Sequence, residues 1–365
     1  MNTGVISIGV RCPIIKQGND IKSIVIDNVL KTLDENGMAL NDNDIIGITE
    51  SVVARAQGNY VTVNNIVDFL RNSKIKKSLY LFSPIMSRNR FSVILRAFAR
   101  YANSIVIILD GMFDEQGNLN YGKNPFTGVD IQKYYEEIGK EENCSVRFID
   151  GSENYCLTNE DTYIDCRCHP KKVEGILNLT DIMNTPTSGP IGFNEDFGLL
   201  GSNKAGDERL KLFPRVDEAK FLVYSIKDEF YQLTGKNIEA MIYSDGCFHS
   251  PEIDGIPGSS INEWADPVTS MAYTDGLRGT PNEIKIKAFA DGKYNSLSGE
   301  ELDEAIKKEI INSCECLKGM MDSQGTTPRR YIDLLTSLMD LMSGSGSKGT
   351  PVVIVKNYFK NYAQE

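Results

Sequence analysis

The chain has 365 residues and a formal net charge of −11, with 41% apolar and 24% charged residues. That length admits a sizeable core in one large or two smaller units. The acidic balance sets the chain as a whole against nucleic acid and anionic membrane as partners.

No apolar stretch approaches the ~20 residues of a membrane span. Met1 to Val10 holds no basic segment leading into a long apolar run. The eight cysteines have no disulfide-scaffold spacing, which suits a reducing cytosol and an expected cytoplasmic location. Asp165-Cys166-Arg167-Cys168-His169 and Cys314-x-Cys316 lack the C-x-x-C spacing of a zinc site, so buried or idle thiols are expected.

Residues 1–110 alternate strand-like and helix-like pieces. Val5 to Ile8 reads as a strand and Ile21 to Leu33 as a helix. Asp44 to Ile48 is a short buried strand running into a helix that Thr49 can cap and Gly58 can end. Ile66 to Leu70 marks a helix, Leu79 to Phe82 a strand, Phe91 to Phe98 a helix, and Ile105 to Leu109 the plainest strand. Residues 111–190 are richer in Asn, Gly, Asp and Tyr and read as an insertion-like segment. Gly111 to Asp130 is mostly loop, Val146 to Ile149 a strand, and Gly175 to Met183 a short helix. Residues 191–365 resume strong punctuation. Ala240 to Tyr243 reads as a strand, Thr280-Pro281-Asn282-Glu283 and Ser298-Gly299-Glu300-Glu301 as capping boxes, Thr327-Pro328 as a helix start, and Val352 to Val355 as a last strand. The mixed pattern predicts an α+β fold.

Candidate chemistry gathers in loops. Asp245, between an apolar strand and Gly246, and Asp266, beside the single tryptophan, stand where a carboxylate can either start a turn or bind a ligand. Ser87-Arg88-Asn89-Arg90 places Arg88 and Arg90 at a helix start, where cations and exposed amides together form an anion site. Gly198 to Lys204 is a glycine-rich loop ending in a cation, without P-loop spacing. Ser323 to Arg330 repeats that theme, with Arg329 at a helix start. Only two histidines are present, and neither G-x-S-x-G nor H-E-x-x-H occurs, which argues against common hydrolase mechanisms. Carboxylate loops beside cationic loops suit a divalent metal bridging to nucleotide phosphates.

Three stretches, Ile48-Thr49-Glu50-Ser51-Val52-Val53-Ala54-Arg55-Ala56-Gln57-Gly58, Gly201-Ser202-Asn203 and Ser244-Asp245-Gly246, resemble the signatures of the coenzyme F420-0:L-glutamate ligase family. Pro84 to Phe91, Asn124 to Asp130, Ala265 to Val268 and Ser323 to Arg330 resemble a longer bacterial branch of it. The resemblance implies a two-domain α+β fold, typically dimeric, and a ligase adding L-glutamate to a carboxylate acceptor. It implies GTP (or ATP) as co-substrate, a divalent metal (magnesium or manganese) and an acyl phosphate intermediate. It makes Asp245 a metal ligand and puts Glu50, Arg55, Gln57, Ser202 and Asn203 in substrate- or nucleotide-binding stretches. Lys204 and Arg329 are expected to bind anionic groups, and Arg88 and Arg90 to act on the acceptor or a phosphate. The family's metal-binding Asp before Ser-Asn falls near Leu200, so Glu195 or Asp196 is expected to substitute, with Asp130, Asp266 and Glu283 as alternatives. The alternative function is a non-ligase descendant that binds a nucleotide or phosphorylated metabolite.

Overall fold

The structure, a computed structural model, describes residues 3–115, 117–125, 127–151, 158–168, 170, 172–187, 191–244, 286–312, 331–344 and 346–363. The first elements are β1 (Ile6–Val10), α1 (Ile21–Glu35), β2 (Ile45–Thr49), α2 (Glu50–Gln57), β3 (Tyr60–Thr62) and α3 (Val63–Asn72). Then come β4 (Ser78–Phe82), α4 (Arg90–Tyr101), β5 (Ser104–Leu109), α5 (Ile131–Glu141), β6 (Ser145–Asp150), β7 (Asp161–Asp165) and β8 (Ile176–Asn178). The last are β9 (Ser202–Gly206), β10 (Arg209–Leu212), α6 (Val216–Thr234), β11 (Glu239–Tyr243), α7 (Ile286–Asp291), α8 (Gly299–Asn312), α9 (Tyr331–Ser343) and β12 (Val352–Lys356). The fold is α+β.

Among the described residues the strands form three sheets. The first has the order β1-β12-β2-β11, with β2 and β11 parallel and β12 antiparallel to both of its neighbours. Both faces are covered over β2, β11 and β12, which is why these strands are near-continuous apolar runs, whereas edge strand β1 alternates and is half-buried. Ile46, Ile48, Ala240, Ile242 and Ile354 pack on one face with Val25 and Val29 of α1 and Val223, Ile226 and Phe230 of α6. Ile45, Met241, Val353 and Val355 pack on the other face with Leu335 and Met339 of α9.

The second sheet is small and antiparallel, in the order β3-β10-β9. The third is fully parallel, in the order β6-β5-β4-β7-β8. Its earliest strand is central, the next two lie to one side and the last two to the other. That is a doubly wound order, reversing between β4 and β7. One of its faces, with Leu79, Leu81, Ile105, Ile107 and Ile164, shares a core with α3, α4, α5 and the second sheet. Residues on both sides of position 111 build this sheet.

Several expectations change. Gly175 to Met183 is not a helix: Ile176 and Leu177 pair with Tyr163 and Ile164, and a single 3-10 turn follows. Edge pairing has overridden a weak local helical pattern. Ser202-Asn203-Lys204, expected at the end of a phosphate-cradling loop, form β9. Gly58 ends α2 in the left-handed conformation as expected, whereas Thr49 occupies the N-cap position without a side-chain cap bond. Helix α4 begins at Arg90, so Arg88 precedes it. The expected helix starts at Thr280 and Thr327 lie outside the described residues.

A charged clamp joins two of the sheets. Arg100 reaches Glu142 after α5 at 2.7 Å and Glu208 in the β9–β10 turn at 2.9 Å. The Arg100 hydrogen bond holds the Glu142 carboxyl below its ordinary range. A carboxyl lowered in the folded state stabilises above its unfolded pKa and loses that contribution as pH falls through the folded one. Stability measured by denaturant melts should therefore decline on acidification below the usual Glu range, and Glu142→Gln should flatten part of that decline.

Gly47 of β2 sits where α9 crosses the sheet, and an added Cβ would overlap the Met339 sulfur. Gly47→Ala is expected to cost about 1–3 kcal/mol through overpacking. Denaturant unfolding should show that loss, and Met339→Ala in the same chain should return part of it.

Candidate active site

The site is set by one edge of the first sheet. Because β12 runs antiparallel to β1 and β2, and β11 parallel to β2, strands β1, β2 and β11 all end at this edge while β12 begins there. Tyr243 pairs with Thr49, and the Thr49 amide donates to the Pro351 carbonyl at 2.9 Å. Glu50, Ser244 and the Gly349-Thr350-Pro351 turn are therefore neighbours in the fold. Asp245 follows Ser244 directly in sequence. Asp245 itself, with Asp266, Glu283 and Arg329, lies outside the described residues.

Glu50 is the first residue of α2, where the helix dipole favours an anion. It is 2% exposed, and Lys211 of β10 is 5% exposed. The Lys211 ammonium donates to Glu50 Oε2 at 2.5 Å, and Asn203 Nδ2 donates to Oε1 at 3.3 Å. Asn203 and Lys211 are cross-strand partners between β9 and β10. Two sequence stretches about 150 residues apart are thus joined on one carboxylate (|i−j| = 153). The sequence reading missed Lys211. It lies between Leu210 and Leu212, an alternation that on an ordinary half-exposed strand puts the lysine in water. Asn59 and Asn194 were also missed; they are buried and tie the loop before β9 to the end of β10. Asn59 donates to the Phe193 and Phe213 carbonyls, and Asn194 to that of Pro214.

The Ser87–Arg90 loop docks on the same strand. Asn89 Oδ1 accepts from the Lys204 amide at 3.0 Å, so Arg88 and Lys204 flank this contact. Ser87, Arg88, Asn89, Tyr134 and Lys204 line one open depression. Lys204 also pairs with exposed Asp207 at 2.7 Å. Arg90 turns inward and donates to the Leu200 carbonyl at 2.5 Å. It lies against the Cys168 thiol, which burial above all pushes up to about 12. Burial raises the Cys166 thiol well above its usual range too, so neither is a thiolate at neutral pH. Arg88 is exposed and has no ion pair among the described residues.

Other expected residues are not brought to this centre. Arg55 is exposed at the end of α2, turned about 140° round the helix from Glu50. Gln57 accepts from the Arg215 amide at 2.9 Å and lines a separate groove with Phe221. Ser202 is buried and donates to the Leu199 carbonyl at 2.7 Å, closing the turn before β9. Leu200 is itself buried in the core.

Of the carboxylates expected near the position of that metal ligand, Glu195 and Asp130 make other contacts. Glu195 and Asp196 are exposed; Glu195 accepts from the Val216 amide at the start of α6 at 3.4 Å. Asp130 caps α5 by accepting from the Lys133 amide. Among the described residues no group of three or more His, Cys, Asp or Glu side chains could hold a metal ion. Glu50 is already engaged by Lys211. The described donors therefore do not fit a metal centre by themselves.

An α+β protein with a buried carboxylate–lysine pair at a strand-end edge, and an arginine loop docked beside it, is what the geometry defines. The chain belongs to the F420-0:gamma-glutamyl ligase family, whose model matches residues 9–357. Membership indicates a ligase of the gamma-glutamyl type, with glutamate and a carboxylate acceptor as the kind of substrates it joins. No curated protein matches the chain. No helix among the described residues is long and apolar enough to cross a membrane.

Removing one partner of a buried ion pair leaves an uncompensated charge and costs about 3–5 kcal/mol. Lys211→Met is expected to show a loss of that order in denaturant unfolding. Glu50→Leu combined with Lys211→Met should recover most of the stability. The cycle would then read out the coupling between α2 and β10.

Proposed function

We propose that this protein is a nucleotide-dependent ligase that joins the amine of L-glutamate, or a similar amino acid, to the carboxylate of a small acceptor. In this reading the γ-phosphoryl group of GTP or ATP passes to an acceptor carboxylate oxygen, and its bond to the β-phosphate oxygen breaks. The amine then attacks the acyl carbon, inorganic phosphate leaves and the amine gives up a proton. The observation that carries the reading is the hydrogen bond from Asn203 to Glu50, which unites two of the family-like stretches at the edge where Ser244, the first residue of the third, follows β11.

Within that scheme Glu50 is a positioning residue, since Lys211 and Asn203 lock its carboxylate. Arg88 and Lys204, flanking Asn89 over an open depression, offer positive charge to an anionic substrate group. Arg90, committed to the Leu200 carbonyl, holds the loop that presents Arg88. Gln57 and Ser202 support the elements around the site, and Arg55 stays a candidate from the sequence. Arg329, Asp245 and Asp266 stay candidates from the sequence. A divalent metal, magnesium or manganese, would counter the charge of the bound nucleotide, and its proposed ligand is Asp245. A homodimer and a cytoplasmic location complete the proposal.

A second reading, a descendant that binds a nucleotide or phosphorylated metabolite without ligating, is favoured by one observation: Leu200, near which the resemblance would put a metal-binding Asp, is buried and carries no side-chain oxygen. One assay separates the two. Phosphate release from GTP and ATP is measured with magnesium or manganese, L-glutamate and a panel of carboxylate acceptors, alongside mass spectrometry of products. Release that needs both substrates, with a product heavier by one glutamyl residue, supports the ligase. Nucleotide binding without coupled release across the panel supports the descendant. In calorimetry, nucleotide affinity is expected to drop on adding EDTA; unchanged affinity would remove the metal from the proposal.

A further inference from the structure

The loop carrying Arg88 follows β4, and the long loop of residues 110–130 follows β5. Both therefore leave the carboxyl edge of the parallel sheet, the edge at which open α/β sheets hold ligands. Between them is a cavity of about 150 Å³, separate from the open depression on the Lys204 side of Arg88. Its polar lining is Ser87, Arg88, Asn118, Asn124 and Thr127, and Leu119 gives it an apolar wall.

The walls are preorganised. Buried Asp114 accepts from the Met86 amide at 2.6 Å and from the Asn118 amide and Nδ2 at 2.9 Å each, pinning the two loops together. Tyr135 accepts from the Ser87 amide at 2.9 Å and donates to the Ser87 carbonyl at 2.8 Å. Asn124 Oδ1 accepts from the Thr127 amide at 3.0 Å.

This arrangement leaves three groups with spare capacity. The Arg88 guanidinium has no ion pair among the described residues. Asn118 must turn its Nδ2 toward the Asp114 carboxylate, an acceptor, so its Oδ1 faces away, and no donor among the described residues reaches it. The Thr127 hydroxyl accepts from the Val129 amide at 3.3 Å and keeps its proton to donate. A cation, a carbonyl acceptor and a hydroxyl donor around one small space match the carboxylate and ammonium of a free amino acid.

We infer that this cavity is the binding site for an α-amino acid, with its carboxylate on Arg88 and its ammonium on Asn118 Oδ1. The cavity is smaller than the roughly 300–1,000 Å³ typical of sites for drug-sized ligands, so it suits a small ligand better than a nucleotide. The buried Asp114 carboxylate behind the wall disfavours a dianionic phosphate relative to a zwitterion. The guanidinium's planar fork matches a carboxylate. The choice of L-glutamate as occupant rests on the ligase reading; the presence of an amino-acid site does not.

The test uses the full chain and L-glutamate as probe, by calorimetry, with and without nucleotide. Arg88→Gln should weaken glutamate binding by about tenfold or more, the usual loss for a charge-assisted hydrogen bond. Nucleotide affinity should fall by less than glutamate affinity, and the melting temperature should hold within a few degrees. Glutarate, which keeps both carboxylates and lacks the amine, should bind the native protein more weakly than glutamate, and Asn118→Leu should close that gap. Equal glutamate affinity in the native and Arg88→Gln proteins would overturn the inference, as would no glutamate binding to the native protein under either condition. Coupled phosphate release is read separately. Release with an unchanged glutamate KM in Arg88→Gln sinks the inference and leaves the ligase standing. Arg88-dependent glutamate binding without release does the reverse.

Discussion

The carboxylates at the two ends of β2 constrain most of this structure. Asp44 precedes the strand and Glu50 follows it, and both are buried. Each meets a buried lysine from a distant part of the chain, Lys356 at the end of β12 for Asp44 and Lys211 of β10 for Glu50. A strand covered on both faces by apolar side chains has little in its composition to fix its position along its neighbours. Two charges that cannot be left unpaired supply that information. Displacing β2 by one residue would strand both. The same pairing that locates the strand thus locates the candidate site at its end.

A second link runs between the sheets. Asn89 from the loop after β4 accepts from Lys204 of β9, next to the Asn203 that touches Glu50. The parallel sheet, with its loops after β4 and β5, is thereby registered against the first sheet through two consecutive residues of one short strand. This explains how an arginine loop and a buried carboxylate that share no element come to face one region.

Much of the fold was legible where local pattern and final environment agree. β2, β4, β5 and β12 are apolar runs, and α2 ends where Gly58 takes the left-handed conformation. Glu50 and Asn203 were found by resemblance, and the structure joins them. What stayed hidden depends on pairing across the chain. β8 looked helical until Tyr163 and Ile164 gave it a neighbour. Ser202 to Lys204 looked like a loop until β10 turned it into a strand. Lys211 was not singled out, because nothing local says which face of β10 is inside. Glu195 and Asp196 were selected for closeness in sequence to Leu200, yet they lie exposed in the loop leading to α6.

The paired lysines also shape how the protein responds to heat. The hydration of charged groups carries a strongly negative entropy, so water competes less well for a buried carboxylate or ammonium as temperature rises. The desolvation burden at both ends of β2 therefore lightens on warming, while the apolar contacts around the strand gain little. An otherwise costly way of aligning a strand becomes relatively cheaper toward the upper end of the folded range.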